Sequence, residues 1–103
     1  MAQIIVMGWI DFEAGVREQW LQRATDMMAV TRLEPGCITY VLVADPLIDN
    51  RVRIFEQWES QEALDGHVSS THVREFGAEV AGLKGIASSV GFYDATKRKS
   101  PRA

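Results

Sequence analysis

Cysteine, histidine and long apolar runs are all scarce in this sequence. The single cysteine, Cys37, cannot form an intrachain disulfide, and a lone thiol is typical of a reducing cytoplasm. No apolar run approaches the roughly 20 residues that span a bilayer, and residues 1–9 lack the features of a secretory signal. Zinc-type cysteine spacing and glycine-rich nucleotide loops are also absent. The sequence therefore predicts a cytoplasmic protein without a membrane segment, bound metal or bound cofactor.

Charge is distributed unevenly along the chain. Removing the four positive charges of the last seven residues from the net charge of −3 leaves −7 for residues 1–96. A body this acidic argues against nucleic acid as a partner. At 103 residues there is room for one domain, which we place at residues 1–95. Residues 96–103 are predicted to be a basic, disordered tail.

Hydrophobic periodicity predicts a β-α-β-β-α-β order. The turn Glu34-Pro35-Gly36 ends the first helix, Ser60 is the expected N-cap of the second, and residues 69–71 interrupt that second helix. The predicted strands are 3–11, 37–44, 51–58 and 86–94, and the predicted helices are 14–31, a short helix after Ser60, and 71–81. This order predicts an α+β, ferredoxin-like fold with a four-stranded antiparallel sheet.

Both faces of the predicted sheet are apolar, although the helices of such a fold cover only one face. In the first strand, one face carries Ile4, Val6 and Ile10 and the other carries Ile5, Met7 and Trp9. In the second strand, one face carries Val41 and Val43 and the other carries Ile38, Tyr40 and Leu42. A solvated face would show polar residues at alternate positions. We therefore expect a homodimer that joins two sheets face to face. The alternative is a monomer with an exposed apolar patch.

Two histidines are the main candidates for chemistry. His67 shares a helix face with apolar residues and is expected to point toward the sheet, and His72 begins the next helix. Both could border one cavity, where a neutral imidazole would accept a proton. The alternative for each is a core or capping histidine bonded to a backbone carbonyl. Their five-residue spacing does not favour chelation, and no carboxylate is expected to join them, so no metal site is predicted.

Glu56 and Trp58 are expected on one strand face, among apolar neighbours. A carboxylate there needs a hydrogen-bond partner. The structural alternative to a role in chemistry is that Glu56 pairs with an arginine or forms a buried link across the dimer. Trp58, Tyr40, Phe76 and Trp9 are candidates for binding a flat aromatic ligand. Cys37 lacks a local activating base and is expected to serve in packing.

These residues form a spaced signature that resembles the antibiotic biosynthesis monooxygenase family, which includes quinol monooxygenases. It comprises Glu34-Pro35-Gly36-Cys37, Tyr40, Asp45-Pro46, Glu56-Gln57-Trp58, Ser60, Glu62-Ala63-Leu64, His67, Ser70, His72 and Phe76. The resemblance covers residues 3–94. It implies a dimeric α+β barrel and a pocket between sheet and helices.

The resemblance also implies oxidation of phenols or hydroquinones by O₂ without metal or flavin. On this interpretation His67 or His72 is the base, Glu56 is an orienting partner, and Trp58 and Tyr40 form an aromatic wall. Two alternatives remain, because this fold hosts several activities. One is a dimeric module that binds an aromatic metabolite without turnover. The other is a cofactor-free isomerase, whose phosphate site would have to come from Arg51, Arg53 and Arg74.

Overall fold

Four antiparallel strands and three helices make up the computed structural model, which describes residues 2–101. Met1 and residues 102–103, the end of the predicted tail, lie outside the described residues. The elements are β1 (Gln3–Phe12), α1 (Val16–Thr31), β2 (Cys37–Ala44), β3 (Arg51–Trp58), α2 (Gln61–Val68), α3 (Thr71–Glu79) and β4 (Gly85–Ala95). The strand order is β2-β3-β1-β4, with every neighbouring pair antiparallel. The predicted ferredoxin-like fold is therefore confirmed.

Local backbone chemistry accounts for the element boundaries. Helix α1 begins at Val16, two residues later than predicted, because Gly15 adopts a left-handed conformation with φ of 81°. The turn after α1 uses Gly36, whose φ is 84°. Ser60 caps α2 as predicted, since its side chain accepts a hydrogen bond from the Ala63 N–H at 3.1 Å. The second helical region breaks at Ser69 and Ser70, also as predicted.

The core lies between the helices and one face of the sheet. Helix α1 buries Trp20, Ala24, Met27 and Thr31, which recur at helical spacing. Val52, Ile54 and Trp58 are buried on β3, in alternation with more exposed residues. An aromatic series of Phe12, Trp20 and Phe76 joins β1, α1 and α3, with ring centroids 5.4 and 5.2 Å apart. This packing fixes α3 and thereby positions its first turn.

The opposite face of the sheet, called the outer face here, carries apolar side chains that the helices do not cover. Met7, Phe55 and Val41 form one cross-strand row. Met7 is 48% exposed and Val43 is 47% exposed. The expectation of apolar residues on both faces is correct for these strands. One assignment was wrong: Ile38 does not follow Tyr40 into the core, because the β2–β3 register shifts between Cys37 and Thr39 and leaves Ile38 exposed.

Close approach of β4 to β1 requires a glycine at position 8. A Cβ on Gly8 would collide with the Ser89 carbonyl oxygen and lie 2.7 Å from the Val90 Cα. We expect Gly8→Ala to lower the free energy of unfolding by about 1–3 kcal/mol, because backbone must move to admit a methyl group. Thermal and urea unfolding would measure the loss.

Gly77→Ala is the matched control for this glycine substitution. Gly77 lies inside α3, and a Cβ there would meet no atom within 4 Å. Alanine should therefore stabilise the protein by up to about 1 kcal/mol through its higher helix propensity. Equal stability of Gly8→Ala and the wild-type protein would contradict the close β1–β4 contact.

Candidate active site

The two histidines lie side by side at the junction between α2 and α3. His67 is in the last turn of α2 and is 5% exposed. His72 is the second residue of α3. The Ser70 hydroxyl donates to the His67 carbonyl at 2.6 Å and fixes the short connection. Because the chain turns here, the ring centroids are only 6.0 Å apart, as expected for two imidazoles that border one site.

Glu34 joins the two histidines. Its Oε2 lies 2.6 Å from His67 Nδ1 and 3.4 Å from His72 Nε2. The expectation that no carboxylate assembles around the histidines was therefore wrong. The sequence places Glu34 33 residues before His67, and only the packing of the α1–β2 turn against α2 brings them together. The signal available in the sequence was the turn itself, which we had interpreted only as a helix end.

Hydroxyl groups surround His72. Thr31, which is fully buried at the end of α1, places its Oγ1 3.2 Å from His72 Nε2. The Ser70 Oγ lies 3.5 Å from the same nitrogen. The spacing of Thr31 from Trp20, Ala24 and Met27 places it on the buried face of α1. A buried hydroxyl needs a hydrogen-bond partner, and that requirement was the signal that could have identified Thr31.

Aromatic rings pack on His67 from the sheet side. The Trp58 ring lies 4.7 Å from the imidazole at an interplanar angle of 34°, and the Tyr40 ring lies 5.1 Å away at 62°. Trp58 is fully buried and Tyr40 is 5% exposed. Burial raises the pKa of the Tyr40 phenol above its ordinary value, so this ring stays neutral near pH 7. The structure thus brings together three of the predicted site residues.

Glu56 lies on the same strand face as Trp58, as predicted, and accepts a hydrogen bond from the Trp58 indole N–H at 3.0 Å. The hydrogen-bond partner of Glu56 is therefore the Trp58 indole. The structural alternative had proposed an arginine in this position. Burial raises the pKa of Glu56, an effect opposed by this hydrogen bond and by the nearby His67. Ionised Glu56 consequently costs folding free energy.

Glu56→Gln is expected to raise the melting temperature by a few degrees at pH 7–8. Glutamine keeps a carbonyl oxygen for the indole N–H and carries no charge to desolvate. A raised folded-state pKa means that the wild-type protein loses stability as pH rises above the ordinary carboxyl pKa. The difference between variant and wild type should therefore shrink toward zero at more acidic pH. Melting curves of both proteins across pH 4–8 would check the sign, and a gain that is independent of pH would contradict it.

The other two predicted binding residues, Phe76 and Trp9, pack on different neighbours. Phe76 is buried, and its ring packs on Trp20 in the core. Trp9 lies on the outer face, because side chains alternate along β1 and the buried set is Ile4, Val6 and Phe12. Trp9 is therefore corrected, because it does not join the wall that Trp58 and Tyr40 make. The binding role of Phe76 stays a prediction. Cys37 packs against the core, and burial raises the pKa of its thiol, as expected for a packing residue.

The arginines that a phosphate site would need are engaged elsewhere. Arg51 makes a two-pronged pair with Asp11 at 2.7 and 2.9 Å and lies 3.8 Å from the Trp9 ring centroid. Arg53 pairs with Asp45 at 2.6 Å. Backbone N–H donors from the turn and the Arg53 guanidinium lower the pKa of Asp45 to about 2. These pairs leave the isomerase alternative without two of its three phosphate ligands.

A cleft of about 440 Å³ opens beside Glu34. It lies between the α1–β2 turn and α2. Its lining includes Glu34, Gly36, Glu59, Ser60, Glu62 and Ala63. The Glu34 and His72 side chains are 16% and 20% exposed, compared with 6% for His67. Solvent and small solutes therefore reach the cluster from the Glu34 side, whereas Trp58 and Tyr40 close it from the sheet.

The fold and site define a ferredoxin-like α+β domain with a histidine–carboxylate cluster set against buried aromatic rings. The sequence profile named "Antibiotic biosynthesis monooxygenase" matches residues 3–79. The chain belongs to this family. The family resemblance identified from the sequence is thereby confirmed.

Individual proteins are also similar to this chain. The uncharacterized protein sll1783 of Synechocystis is 33% identical over 73 residues, which are 71% of this chain and 50% of that protein. The chain thus spans half the length of this curated relative. Rv0793 from Mycobacterium tuberculosis has a TM-score of 0.81 at 24% identity, covering 96% of this chain and 100% of that one. PA3566 from Pseudomonas aeruginosa has a TM-score of 0.81 at 21% identity, covering 94% and 97%. The two structures support the fold.

Within residues 2–101, no helix has the length and apolar character needed to cross a membrane.

Proposed function

We propose that this protein oxidises a phenol- or hydroquinone-type aromatic substrate with O₂, without a bound cofactor, and that His67 is the proton acceptor. The observation that carries this proposal is the 2.6 Å contact between His67 Nδ1 and Glu34, made by a histidine packed on two buried aromatic rings. Membership of the family supports the monooxygenase class.

Glu34 would set the tautomer of His67. An ionised carboxylate can only accept hydrogen bonds, so Nδ1 carries the proton in this contact. The other ring nitrogen, Nε2, is then the proton acceptor. This is the arrangement by which a carboxylate orients a histidine base in other enzymes. Removal of a phenolic proton converts the substrate to an electron-rich phenolate, which reduces O₂ far more readily than the neutral phenol does.

The electron balance of this reaction requires no external reductant. When a hydroquinone becomes a hydroxyquinone, the substrate supplies all four electrons that O₂ accepts. One oxygen atom forms the new carbon–oxygen bond and the other leaves as water. The protein then has to deprotonate, orient and desolvate the substrate. His67 would serve the first role, and the buried Trp58 and Tyr40 rings that pack on it would hold its imidazole in position.

Oxygen uptake would test the proposal. Chelator-treated protein would be screened in an oxygen electrode against hydroquinones, naphthols and anthrones, with protein-free samples to correct for autoxidation. Uptake above that background without added flavin, nicotinamide or metal is the expected result. Ligand binding without uptake would contradict the proposal and favour the binding-module alternative.

We also propose that the functional unit is a homodimer formed through the outer face. Met7, Val43 and Tyr93 are 47–50% exposed in the isolated chain, and an apolar sheet face of this kind is stabilised by a matching sheet. Light scattering should give twice the mass of one chain. Met7→Lys should shift the protein toward monomer, whereas Leu47→Lys, in a turn where Leu47 is 91% exposed, should not. A monomeric wild-type protein would contradict the dimer.

A further inference from the structure

We propose that Glu34, His67 and His72 form a binding site for one divalent transition-metal ion, with Zn²⁺ as the preferred probe. One ligand atom from each of these residues lies within 4.8 Å of the other two. A carboxylate and two imidazoles are also the ligand set of several catalytic zinc sites. We predicted no metal site from the sequence, because the five-residue spacing of the two histidines does not favour chelation and no carboxylate was expected to join them.

Modest movements would convert the hydrogen-bonded cluster into a coordination site. A tetrahedral zinc ion with ligands at about 2.0–2.1 Å holds its ligand atoms about 3.3–3.4 Å apart. Glu34 Oε2 and His72 Nε2 already have that separation, at 3.4 Å. Glu34 Oε2 and His67 Nδ1 are 2.6 Å apart, so they would separate by under 1 Å as the metal replaces the Nδ1 proton.

The surroundings of the cluster suit a metal ion. Thr31 and Ser70 place hydroxyl groups 3.2 and 3.5 Å from His72 Nε2. On metal binding they would give up their contacts with this nitrogen and could bond to a metal-bound water instead. The cleft beside Glu34 gives an entry path for the ion. With three protein ligands, a fourth position would remain open.

The ligand chemistry selects the type of ion. Two imidazole nitrogens favour Zn²⁺, Co²⁺ or Ni²⁺, whereas Mg²⁺ and Ca²⁺ prefer oxygen ligands. Coordination through Nδ1 requires the proton of a neutral His67 ring to move to Nε2. Protons also compete with the metal for imidazole nitrogens, so affinity should fall as pH decreases. If the proposed base role of His67 is also correct, metal and substrate chemistry compete for this residue, and Zn²⁺ should inhibit oxygen uptake.

Calorimetric titration of the untagged, chelator-treated protein with Zn²⁺ tests the site directly. We expect one ion per chain with a dissociation constant of about 1 μM or lower at pH 7.5. Mg²⁺ at millimolar concentration should not compete. These measurements require neither substrate nor oxygen, so their failure would leave the proposed oxidation untouched.

Matched variants identify the ligands. Glu34→Gln and His72→Gln should each weaken Zn²⁺ binding at least tenfold, with folding checked by circular dichroism. Glu59→Gln removes the same charge from the same cleft without touching the cluster, and Cys37→Ala removes the thiol; each should stay within about threefold of wild type. Equal weakening by Glu34→Gln and Glu59→Gln, or absence of saturable Zn²⁺ binding by the wild-type protein, would overturn the proposal.

Discussion

Trp58→Ala is expected to lower the free energy of unfolding by about 3–5 kcal/mol, the usual cost of truncating a fully buried tryptophan. Trp58 has no exposed surface, and its ring contacts both Tyr40 and His67. Its removal also leaves the buried Glu56 without the indole hydrogen bond, which adds a desolvation cost. For a domain of this size such a loss is a large fraction of the total stability.

Urea denaturation monitored by far-ultraviolet circular dichroism would measure this loss. Leu47→Ala is the matched control, because Leu47 is an apolar residue that is 91% exposed in the β2–β3 turn. Its substitution should change the free energy of unfolding by less than about 0.5 kcal/mol. A cost below about 1 kcal/mol for Trp58→Ala would show that Trp58 is not the central packing residue of this site.

His67→Asn is expected to reduce kcat/KM of the proposed oxidation by about 10²–10⁴-fold, the usual contribution of a general base. Asparagine can still donate to Glu34 but has no nitrogen lone pair to accept a proton. His67 is the better candidate of the two histidines, since it makes the shorter contact with Glu34 and lies against the aromatic wall.

His72→Asn provides the comparison for this prediction. His72 is more exposed and contacts Glu34 at 3.4 Å, so we expect a reduction of no more than about tenfold. Steady-state oxygen uptake at several pH values would measure both variants. A larger loss for His72→Asn than for His67→Asn would assign the base to His72. Undiminished activity in the double variant would refute a histidine base altogether.

The sequence was sufficient to predict the fold because the relevant signals are local. The bounds of β2 and β3 agree with the prediction at both ends, since Pro35-Gly36 and the turn at 45–50 bracket apolar runs. The N-cap at Ser60 and the break at Ser69 and Ser70 follow equally from local hydrogen bonding. The misplaced start of α1 and the wrong face for Ile38 both came from backbone details, a left-handed glycine and a register shift, that periodicity does not encode.

The site was predictable only in part. Residues on one strand face, such as Glu56 and Trp58, could be grouped because side chains alternate along a strand. Trp9 was misplaced, because residue type indicates that a ring is suited to binding but does not indicate which layer of the fold it occupies. Glu34 and Thr31 were missed, since their partners lie 33 and 41 residues further along the chain.

The sequence by itself determined the order of elements, the apolar character of both sheet faces and the presence of two histidines near a helix break. These features depend on interactions between neighbours in the chain. Tertiary structure alone decided that a turn carboxylate would join those histidines and that Trp58 and Tyr40 would enclose one of them. Such contacts depend on how α1, α2 and the sheet pack, and packing is set by the whole core rather than by any local pattern.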